Sequence, residues 1–431
     1  MKLRRTPRSM YSIVIFLYMC AVGIAAIFNK RARKLAVGHR KAFFQLKRQV
    51  QKDGRYIWFH AASLGEFEQG RPLMERLRRE HPEYKILLTF FSPSGYEVRK
   101  NWEGADLVCY LPLDTPGAVR VFFHFVKPEM LFLIKYEFWK NYLTGCQRLG
   151  IPVYSVSSIF RPDQIFFRWY GRGYAKVLSK VTHFFVQNQQ SADLLASLGH
   201  TDNVTVVGDT RFDRVLDIRA AARPLPLVEK FASGHTVFVA GSSWPPDEAL
   251  FIPWFLGKFS LATPSVASPA MSSPRLIIAP HLIGEDHLRD IESRLQGRCV
   301  LRYSAATEEN VSDAEVLIID CFGLLSSIYR YGKLALVGGG FGVGIHNVAE
   351  AAVYGIPVLI GPNNQNFREA RHLLDAGACF EIHNSEDFTQ IADHLLGDDE
   401  AYSRAAEAAR RYIADNAGAT DYIFRKIFSK T

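Results

Sequence analysis

The sequence predicts an α/β protein with two doubly wound halves that follow an N-terminal apolar helix. Short apolar runs of strand length alternate with helical patterns along most of the chain, as in βαβ units. The runs are largely continuous in hydrophobicity, which is typical of parallel strands buried on both faces. The 431 residues are 48% hydrophobic and 22% charged, which fits two globular domains and excludes a disordered or collagen-like chain.

The first fifty residues differ in charge from the rest of the chain. They contain twelve Lys or Arg and no acidic residue, which leaves 40 basic against 43 acidic residues elsewhere. The net charge of +9 therefore belongs to the N-terminal segment. This distribution argues against a nucleic-acid-binding protein.

Residues 11–28 form an uncharged apolar run, and a transmembrane helix needs roughly 17–25 such residues. More basic residues follow the run than precede it, so the positive-inside rule favours a cytoplasmic body. A cleaved signal peptide is the alternative, but no A-x-A-like site follows. We expect residues 1–50 to be an uncleaved anchor with a basic collar. The basic residues are Lys2, Arg4, Arg5 and Arg8 before the run, and Lys30, Arg31, Arg33, Lys34, Arg40, Lys41, Lys47 and Arg48 after it.

Twelve strands are predicted in two series, and an Ala/Arg/Pro-rich stretch at Ala220–Leu227 separates them. We therefore expect domains at 51–215 and 216–431. Residues 262–274, rich in Ala, Ser and Pro, are expected to form a flexible surface insertion. The first series is Tyr56–Ala61, Lys85–Phe91, Asp106–Leu111, Met130–Ile134, Pro152–Val156, His183–Val186 and Val204–Val207. The second is Val237–Gly241, Leu276–Ala279, Val316–Ile319, Leu334–Val337 and Pro357–Ile360.

The sequence gives no sign of a metal site or a disulfide framework. The six cysteines are scattered, without C-x-x-C or zinc-like spacing, and are expected to be small buried residues in a reducing compartment. D-x-D, H-E-x-x-H and G-x-S-x-G are absent from the sequence. Their absence argues against a metal-dependent GT-A transferase, a zincin and an α/β-hydrolase.

The segment His60-Ala-Ala-Ser-Leu-Gly-Glu66 follows the first predicted strand and begins a helix. Ser63 and Glu66 fit a capping box, in which the carboxylate satisfies a backbone N–H and complements the helix dipole. Gly65 leaves room for a substrate to approach, which also suits a catalytic carboxylate. The residues alone leave both interpretations open.

A glycine-rich turn is predicted to join a strand to a helix in the second half of the chain. Its sequence is Val337-Gly-Gly-Gly340-Phe-Gly-Val-Gly344-Ile-His346-Asn347-Val-Ala-Glu350. Glycines let backbone N–H groups approach an anion, so the string predicts a phosphate site. It matches neither G-x-G-x-x-G nor a P-loop. The spacing predicts that His346, Asn347 and Glu350 share one helical face, with the carboxylate available to a ribose diol. Helix capping alone is the alternative.

Three other segments place polar groups beyond predicted strands. Ser242 and Ser243 suit an anion or a simple N-cap. The segment Lys135-Tyr-Glu137-Phe-Trp-Lys-Asn141 follows a very apolar strand. Between Arg161 and Lys180, basic residues alternate with aromatic ones, which suits a membrane surface, an anionic amphiphile or an ordinary half-buried helix.

Taken together, the order and spacing of these strings resemble the 3-deoxy-D-manno-octulosonic acid (Kdo) transferases, which are membrane-anchored, lipid A-modifying glycosyltransferases of the GT-B class. The resemblance covers nearly the whole chain. It rests on the apolar N-terminus, the segments ending at Glu66 and Asn141, Gly208-Asp-Thr-Arg211-Phe-Asp213, the Gly-Ser-Ser turn at 241–243, the glycine-rich string ending at Glu350, and Gly361-Pro362 followed by Asn366-Phe367-Arg368-Glu369.

The resemblance implies two Rossmann-like domains facing a central cleft, with the sugar nucleotide in the C-terminal domain and the acceptor at the N-terminal one. It implies inverting transfer of Kdo from CMP-Kdo to a lipid A precursor of the lipid IVA type in lipopolysaccharide biosynthesis, at the cytoplasmic face of the inner membrane, without metal or cofactor. By the same resemblance Glu66 is the expected general base. The expected sugar-donor contacts are Ser242, Ser243, His281, Gly339, Gly340, His346, Asn347 and Glu350, and the expected acceptor contacts are Ser63, Gly65, Glu137 and Arg161.

The chain departs from the family pattern at two turns beside the expected sugar-donor site. The usual Ser/Thr-x-His-x-Gly-Glu-Glu is here Ser242-Ser-Trp-Pro-Pro-Asp-Glu248, and Pro280-His281 stands where Pro-Arg-His is common. Two alternatives remain open. One is a GT-B transferase that uses a UDP-sugar and a lipid-linked acceptor, and the other is a non-enzymatic, membrane-tethered protein that binds a sugar or nucleotide.

Overall fold

The computed structural model describes residues 10–260 and 274–429. The predicted insertion, apart from its last residue, and the four basic residues before the apolar run lie outside the described residues. The chain divides into two compact units. Unit 1 comprises Met1–Arg214 and Ala417–Thr431, and unit 2 comprises Val215–Asn416.

Unit 1 is built on a parallel sheet of seven strands, in the order β3-β2-β1-β4-β5-β6-β7. The strands are β1 Tyr56–Ala61, β2 Lys85–Phe90, β3 Leu107–Tyr110, β4 Met130–Ile134, β5 Val153–Ser158, β6 His183–Val186 and β7 Val204–Val206. The helices are α1 Met10–Phe28, α2 Lys30–Gln49, α3 Leu64–Glu80, α4 Pro93–Arg99, α5 Pro116–Phe125, α6 Lys140–Leu149, α7 Arg172–Ala175, α8 Gln189–Ala196 and α9 Arg211–Ala221, which continues into unit 2.

Unit 2 has its own parallel seven-stranded sheet, in the order β10-β11-β9-β8-β12-β13-β14. The strands are β8 Val237–Ser243, β9 Arg275–Pro280, β10 Val300–Arg302, β11 Val316–Ile318, β12 Leu334–Val337, β13 Val358–Ile360 and β14 Cys379–Glu381. The helices are α10 Pro226–Ala232, α11 Pro245–Ser260, α12 Glu285–Arg294, α13 Leu325–Ile328, α14 Ala349–Ala352, α15 Arg368–Asp375, α16 Ser385–Gly397 and α17 Asp399–Asn416.

Both faces of the sheets are covered, as the uninterrupted apolar runs predict. Every residue of β1 is buried, and its successive side chains enter different core clusters, Trp58 on one face and Phe59 on the other. Helices on both faces supply the remaining core, which is why the strands need no polar alternation. The predicted doubly wound α/β fold is confirmed for each unit.

The last helix, α18 (Ala419–Phe428), belongs to unit 1. Phe424 and Phe428 join the core cluster that contains Tyr84. Asp213 fixes the start of the helix, because its carboxylate accepts the backbone N–H groups of Gly418 at 2.5 Å and Thr420 at 2.6 Å. The expected domain boundaries assigned this segment to the C-terminal domain. The structure differs because a short apolar helix face does not specify which sheet it covers.

Helix α1 coincides with the predicted apolar run and is long and apolar enough to cross a membrane. Its amino end packs on the rest of unit 1, where the Tyr11 hydroxyl donates to Asp114 at 2.6 Å and the Tyr11 ring stacks on Tyr174. Its carboxyl end is open, with Ile24 and Phe28 exposed. Helix α1 therefore presents apolar side chains that the protein does not cover.

The cysteines of the described chain form no disulfide. Cys109, Cys146 and Cys379 are buried as expected. The expectation is wrong for Cys20 and Cys299, which are exposed. Cys20 lies on the uncovered side of α1, and Cys299 precedes the edge strand β10.

Candidate active site

The first polar cluster surrounds Glu66, beyond the carboxyl end of β1. Glu66 is the third residue of α3 and is only 6% exposed. Its Oε2 accepts the backbone N–H of Ala62 at 2.5 Å. Ser63 occupies the N-cap position but makes no side-chain capping hydrogen bond. Only the glutamate half of the predicted capping box therefore forms.

The surroundings of Glu66 suit a proton acceptor. Burial raises the pKa of Glu66, while the backbone N–H of Ala62 and the charge of Lys135 oppose the rise. A side chain added at Gly65 would meet no atom within 4 Å, so the approach to α3 at this point is open. A buried carboxylate in fixed orientation beside open space is the arrangement that a general base requires.

A second carboxyl group, that of Glu137, follows β4. Burial raises the pKa of Glu137 to about 7, and the negative charge of Glu66 adds to the rise. Burial raises the pKa of Tyr136 and the charge of Glu66 adds to the rise, while exposed Arg161 opposes it. The structure thus brings the predicted base Glu66 and the predicted acceptor contacts Glu137 and Arg161 into one electrostatic neighbourhood.

His60, fully buried at the end of β1, supports this cluster. Its Nε2 accepts the indole N–H of Trp139 at 3.3 Å and lies 4.0 Å from Oε2 of Glu137. Because an indole only donates, the ring proton of His60 is on Nδ1, which donates to the carbonyl of Thr89 at 3.1 Å. Burial lowers the pKa of His60 to about 3. His60 is therefore a neutral positioning group, which sequence reasoning did not identify.

The loop at Gly208–Arg211 is hydrogen-bonded to helix α3, which bears Glu66. Buried Asp209 accepts the side-chain amide N–H of Gln69 at 2.8 Å and the Arg211 guanidinium N–H at 2.8 Å. Gln69 lies three residues after Glu66 and so on the same side of α3. The hydroxyl of Thr210 also donates to the Gln69 carbonyl at 2.5 Å. These bonds fix the first turns of α3 to the loop after β7.

Three non-glycine residues with positive φ lie at the carboxyl ends of strands in the two sheets. They are Lys135 (φ 63°) after β4, Ser157 (φ 49°) in β5 and Ser242 (φ 52°) in β8. The register of β5 and of β8 shifts at these serines. Left-handed backbone is costly for such residues and is concentrated at functional sites. The outliers therefore mark the same strand ends at which the polar clusters lie.

The second polar cluster lies beyond β8 and β12 in unit 2. Asp247, 1% exposed, accepts the backbone N–H of Gly339 and that of Trp244, each at 2.9 Å. The carboxylate thereby joins the turn after β8 to the glycine-rich turn. A side chain at Gly338 would collide with the Ser242 carbonyl. Gly339 has a φ of 93°, so glycine is required at both positions.

The glycine-rich turn is longer than predicted. Helix α14 begins only at Ala349, so His346 and Asn347 precede it and the predicted shared helical face is wrong. The backbone N–H of His346 donates to the Gly338 carbonyl at 3.2 Å, which holds the chain against the strand end and delays the helix. Asn347 still meets Glu350, whose Oε1 accepts its side-chain N–H at 3.0 Å.

Three rings form a stack beside this turn. His281 stacks on Trp244 and on His346, with centroid distances of 4.7 and 4.5 Å. The Trp244 indole N–H lies 3.4 Å from Nε2 of His346, so the neutral imidazole carries its proton on Nδ1. Burial lowers the pKa of His346, and His281 lowers it further. Trp244 was not predicted as a site residue. The signal that could have indicated it is its position in the turn at Ser242–Glu248, where the chain departs from the family pattern.

The remaining predicted sugar-donor residues differ in access. The Ser243 hydroxyl is buried and donates to Glu248 at 2.9 Å, whereas Ser242 is half-buried. Gly340 packs its backbone directly on Gly361.

Within residues 10–260 and 274–429, no group of three His, Cys, Asp or Glu side chains is placed to hold a metal ion.

Comparison with known proteins finds similarity to the Kdo transferases. Residues 36–214 match the family described as 3-Deoxy-D-manno-octulosonic-acid transferase (kdotransferase). A relative of that name from Aquifex aeolicus is 28% identical over 83% of this chain and 90% of its own length. Those from Bordetella pertussis (28%, 84% and 85%) and Haemophilus influenzae (23%, 94% and 93%) are similar over comparable shares.

Solved structures of sugar-nucleotide enzymes have the same fold. The UDP-GlcNAc 2-epimerase from Neisseria meningitidis aligns with a TM-score of 0.58 at 15% identity, over 87% of this chain and all of that chain. A putative epimerase from Listeria monocytogenes gives 0.54 at 15% identity, over 88% and 96%. These likenesses show the fold alone. The sequence matches make the chain similar to the Kdo transferases over most of its length.

Proposed function

We propose that this protein transfers Kdo from CMP-Kdo to a lipid A precursor and that Glu66 is the general base. The observation that supports the proposal most strongly is the buried Glu66 carboxylate, oriented by Ala62 and adjoining open space. The names of the relatives in three bacteria support Kdo as the transferred sugar.

In this mechanism the sugar-donor turn of unit 2 stabilises the leaving group. The bond between the anomeric carbon and the CMP phosphate breaks, and its electron pair remains on the phosphate. Backbone N–H groups of the glycine-rich turn and Nδ1–H of His346 act as fixed dipoles toward that charge. Asn347 and Glu350, already hydrogen-bonded to each other, bind the ribose hydroxyls.

The acceptor hydroxyl attacks the anomeric carbon from the side opposite to CMP, which inverts the configuration. Glu66 takes the hydroxyl proton as the new C–O bond forms, a contribution worth about 10²–10⁴-fold in rate. Glu137, which keeps its proton to about pH 7, donates a hydrogen bond to the acceptor. Arg161 is exposed and pairs with an acceptor phosphate.

We also propose that α1 attaches the enzyme to the inner membrane, with both units in the cytoplasm. The apolar length of α1 and the basic residues that follow it support this placement. Attachment increases the local concentration of a membrane-bound acceptor without altering the chemistry.

The test is to incubate the full chain with a lipid A precursor and either CMP-Kdo or UDP-sugars. We expect a Kdo-bearing lipid product from CMP-Kdo and no product from UDP-sugars. Transfer from a UDP-sugar would instead support the alternative transferase. Nucleotide binding without any transfer would support the non-enzymatic alternative.

A further inference from the structure

A groove of about 1020 Å³ lies between α2 and α4 in unit 1, apart from both polar clusters. Its lining combines apolar and aromatic side chains with amines. Val37 and Phe44 of α2 line it and are 43% and 65% exposed. Tyr96 and Tyr110 form other parts of the wall. Apolar surface of this kind, left open beside basic groups, is typical of a site for an amphiphile.

The basic groups at the groove differ in whether they have partners. Lys34 and Lys100 pair with Glu97 at 3.3 and 3.5 Å. Lys41 also lines the groove, but it makes no ion pair or hydrogen bond with any other part of the chain that the structure describes. Its ammonium group is thus available to an anion.

Tyr110 supplies an independent sign of a missing partner. Its side chain lines the groove, the residue is only 2% exposed, and its hydroxyl has no hydrogen-bond partner among the described residues. Buried hydroxyl groups without partners are unfavourable and uncommon. Gly38 packs against the Tyr110 ring, and Lys41 lies one helical turn after Gly38. The unpaired amine and the unpaired hydroxyl therefore belong to side chains that both line the groove.

The position of the groove relates it to a lipid surface. Helix α2 begins two residues after α1 ends, and the last turn of α1 exposes Ile24, Ile27 and Phe28. An occupant with an apolar chain and an anionic head fits both the lining and the adjoining apolar helix. A free inorganic anion would leave the apolar wall uncovered.

We propose that the α2–α4 groove binds one anionic phospholipid, with its phosphate at Lys41, the Tyr110 hydroxyl donating to a phosphate or ester oxygen, and an acyl chain along Val37 and Phe44. This assignment is separate from the transfer reaction. Its test measures binding and requires no turnover, so its failure would leave the proposed function untouched.

The experiment follows thermal unfolding of the full chain in detergent as phosphatidylglycerol, phosphatidylcholine or inorganic phosphate is added. We expect phosphatidylglycerol to stabilise the wild-type protein more than the other two. Lys41→Gln should weaken the apparent affinity for phosphatidylglycerol about tenfold. The matched control is Lys47→Gln, which changes the same charge on exposed α2 surface outside the groove and should have less than about a threefold effect.

Tyr110→Phe tests the hydroxyl without altering the packing of the ring. The lipid-free variant should be at least as stable as the wild type, because it removes an unsatisfied buried group. Its apparent affinity for phosphatidylglycerol should nevertheless fall about threefold or more. Equal stabilisation by phosphatidylcholine or inorganic phosphate, or equal losses in Lys41→Gln and Lys47→Gln, would overturn the proposal.

Discussion

The indole N–H of Trp244 donates to Nε2 of His346 across 3.4 Å. The two residues are far apart in sequence and meet because the turns after β8 and β12 are adjacent. The bond leaves Nδ1–H of His346 as the donor available to an anion. It therefore links an unusual residue of this chain to the proposed phosphate contact.

Trp244→Phe should weaken CMP binding about three- to tenfold. Phenylalanine keeps a ring for stacking on His281 but cannot donate to His346, so its imidazole is no longer fixed in one tautomer. Calorimetry measures the CMP affinity, and thermal unfolding is the control and should change little. An unchanged affinity would show that the hydrogen bond has no part in nucleotide binding.

His346→Ala and Glu350→Ala should each reduce CMP affinity about tenfold. The first removes a donor to the phosphate, and the second removes the carboxylate proposed to bind the ribose. Steady-state kinetics should locate the effect in the KM for CMP-Kdo. A change confined to the KM of the lipid acceptor would contradict the placement of these residues.

The central strands of both sheets could be predicted because each is an apolar run long enough to be recognised. β10 and β14 could not, because each is a three-residue edge strand that ends in a charged residue, Arg302 and Glu381. Edge strands bury less surface, so their sequences need not be apolar throughout. The sequence likewise does not specify which sheet the C-terminal helix α18 covers.

The candidate site was predictable only where its residues are contiguous. Glu66 and the glycine-rich string stand in short motifs, so their strand-end positions followed from the sequence. The bond between Trp139 and His60 joins residues 79 positions apart, and no local pattern indicates it. The start of α14 at Ala349 depends on the His346 backbone bond to Gly338, another contact that periodicity cannot show.

Glu137→Gln should make stability less dependent on pH. The raised pKa means that folded protein holds the Glu137 proton up to about pH 7, whereas unfolded chain releases it near the ordinary value of 4.5. Glu137 therefore lowers the stability of the wild type by about 1–3 kcal/mol as the pH rises from 4.5 to about 7. Above about pH 7 this group causes no further loss of stability. The variant should melt higher than the wild type at pH 8 but not at pH 5. An equal difference at both pH values would contradict the burial of an ionisable Glu137.

Replacing Ile24 and Ile27 with Gln should reduce activity on acceptor in vesicles while leaving activity on detergent-dispersed acceptor largely unchanged. Both residues are 64% exposed, so the change removes apolar surface from α1 without disturbing the Tyr11 contact with Asp114. Vesicle flotation should show weaker membrane binding. Equal loss of activity in detergent would mean that α1 acts on folding rather than on attachment.

The most direct test of the account is the turnover of Glu66→Gln with CMP-Kdo and lipid A precursor. Glutamine keeps the size of the side chain and an oxygen for the Ala62 N–H but cannot take the acceptor proton. Glu68→Gln is the matched control on the same helix, where the carboxylate pairs with Arg99 at 2.8 Å. We predict that kcat falls at least about 10²-fold in Glu66→Gln, with CMP affinity and melting temperature near those of the wild type, and that Glu68→Gln stays active. A Glu66→Gln protein that melts earlier but retains turnover would show that Glu66 only caps α3.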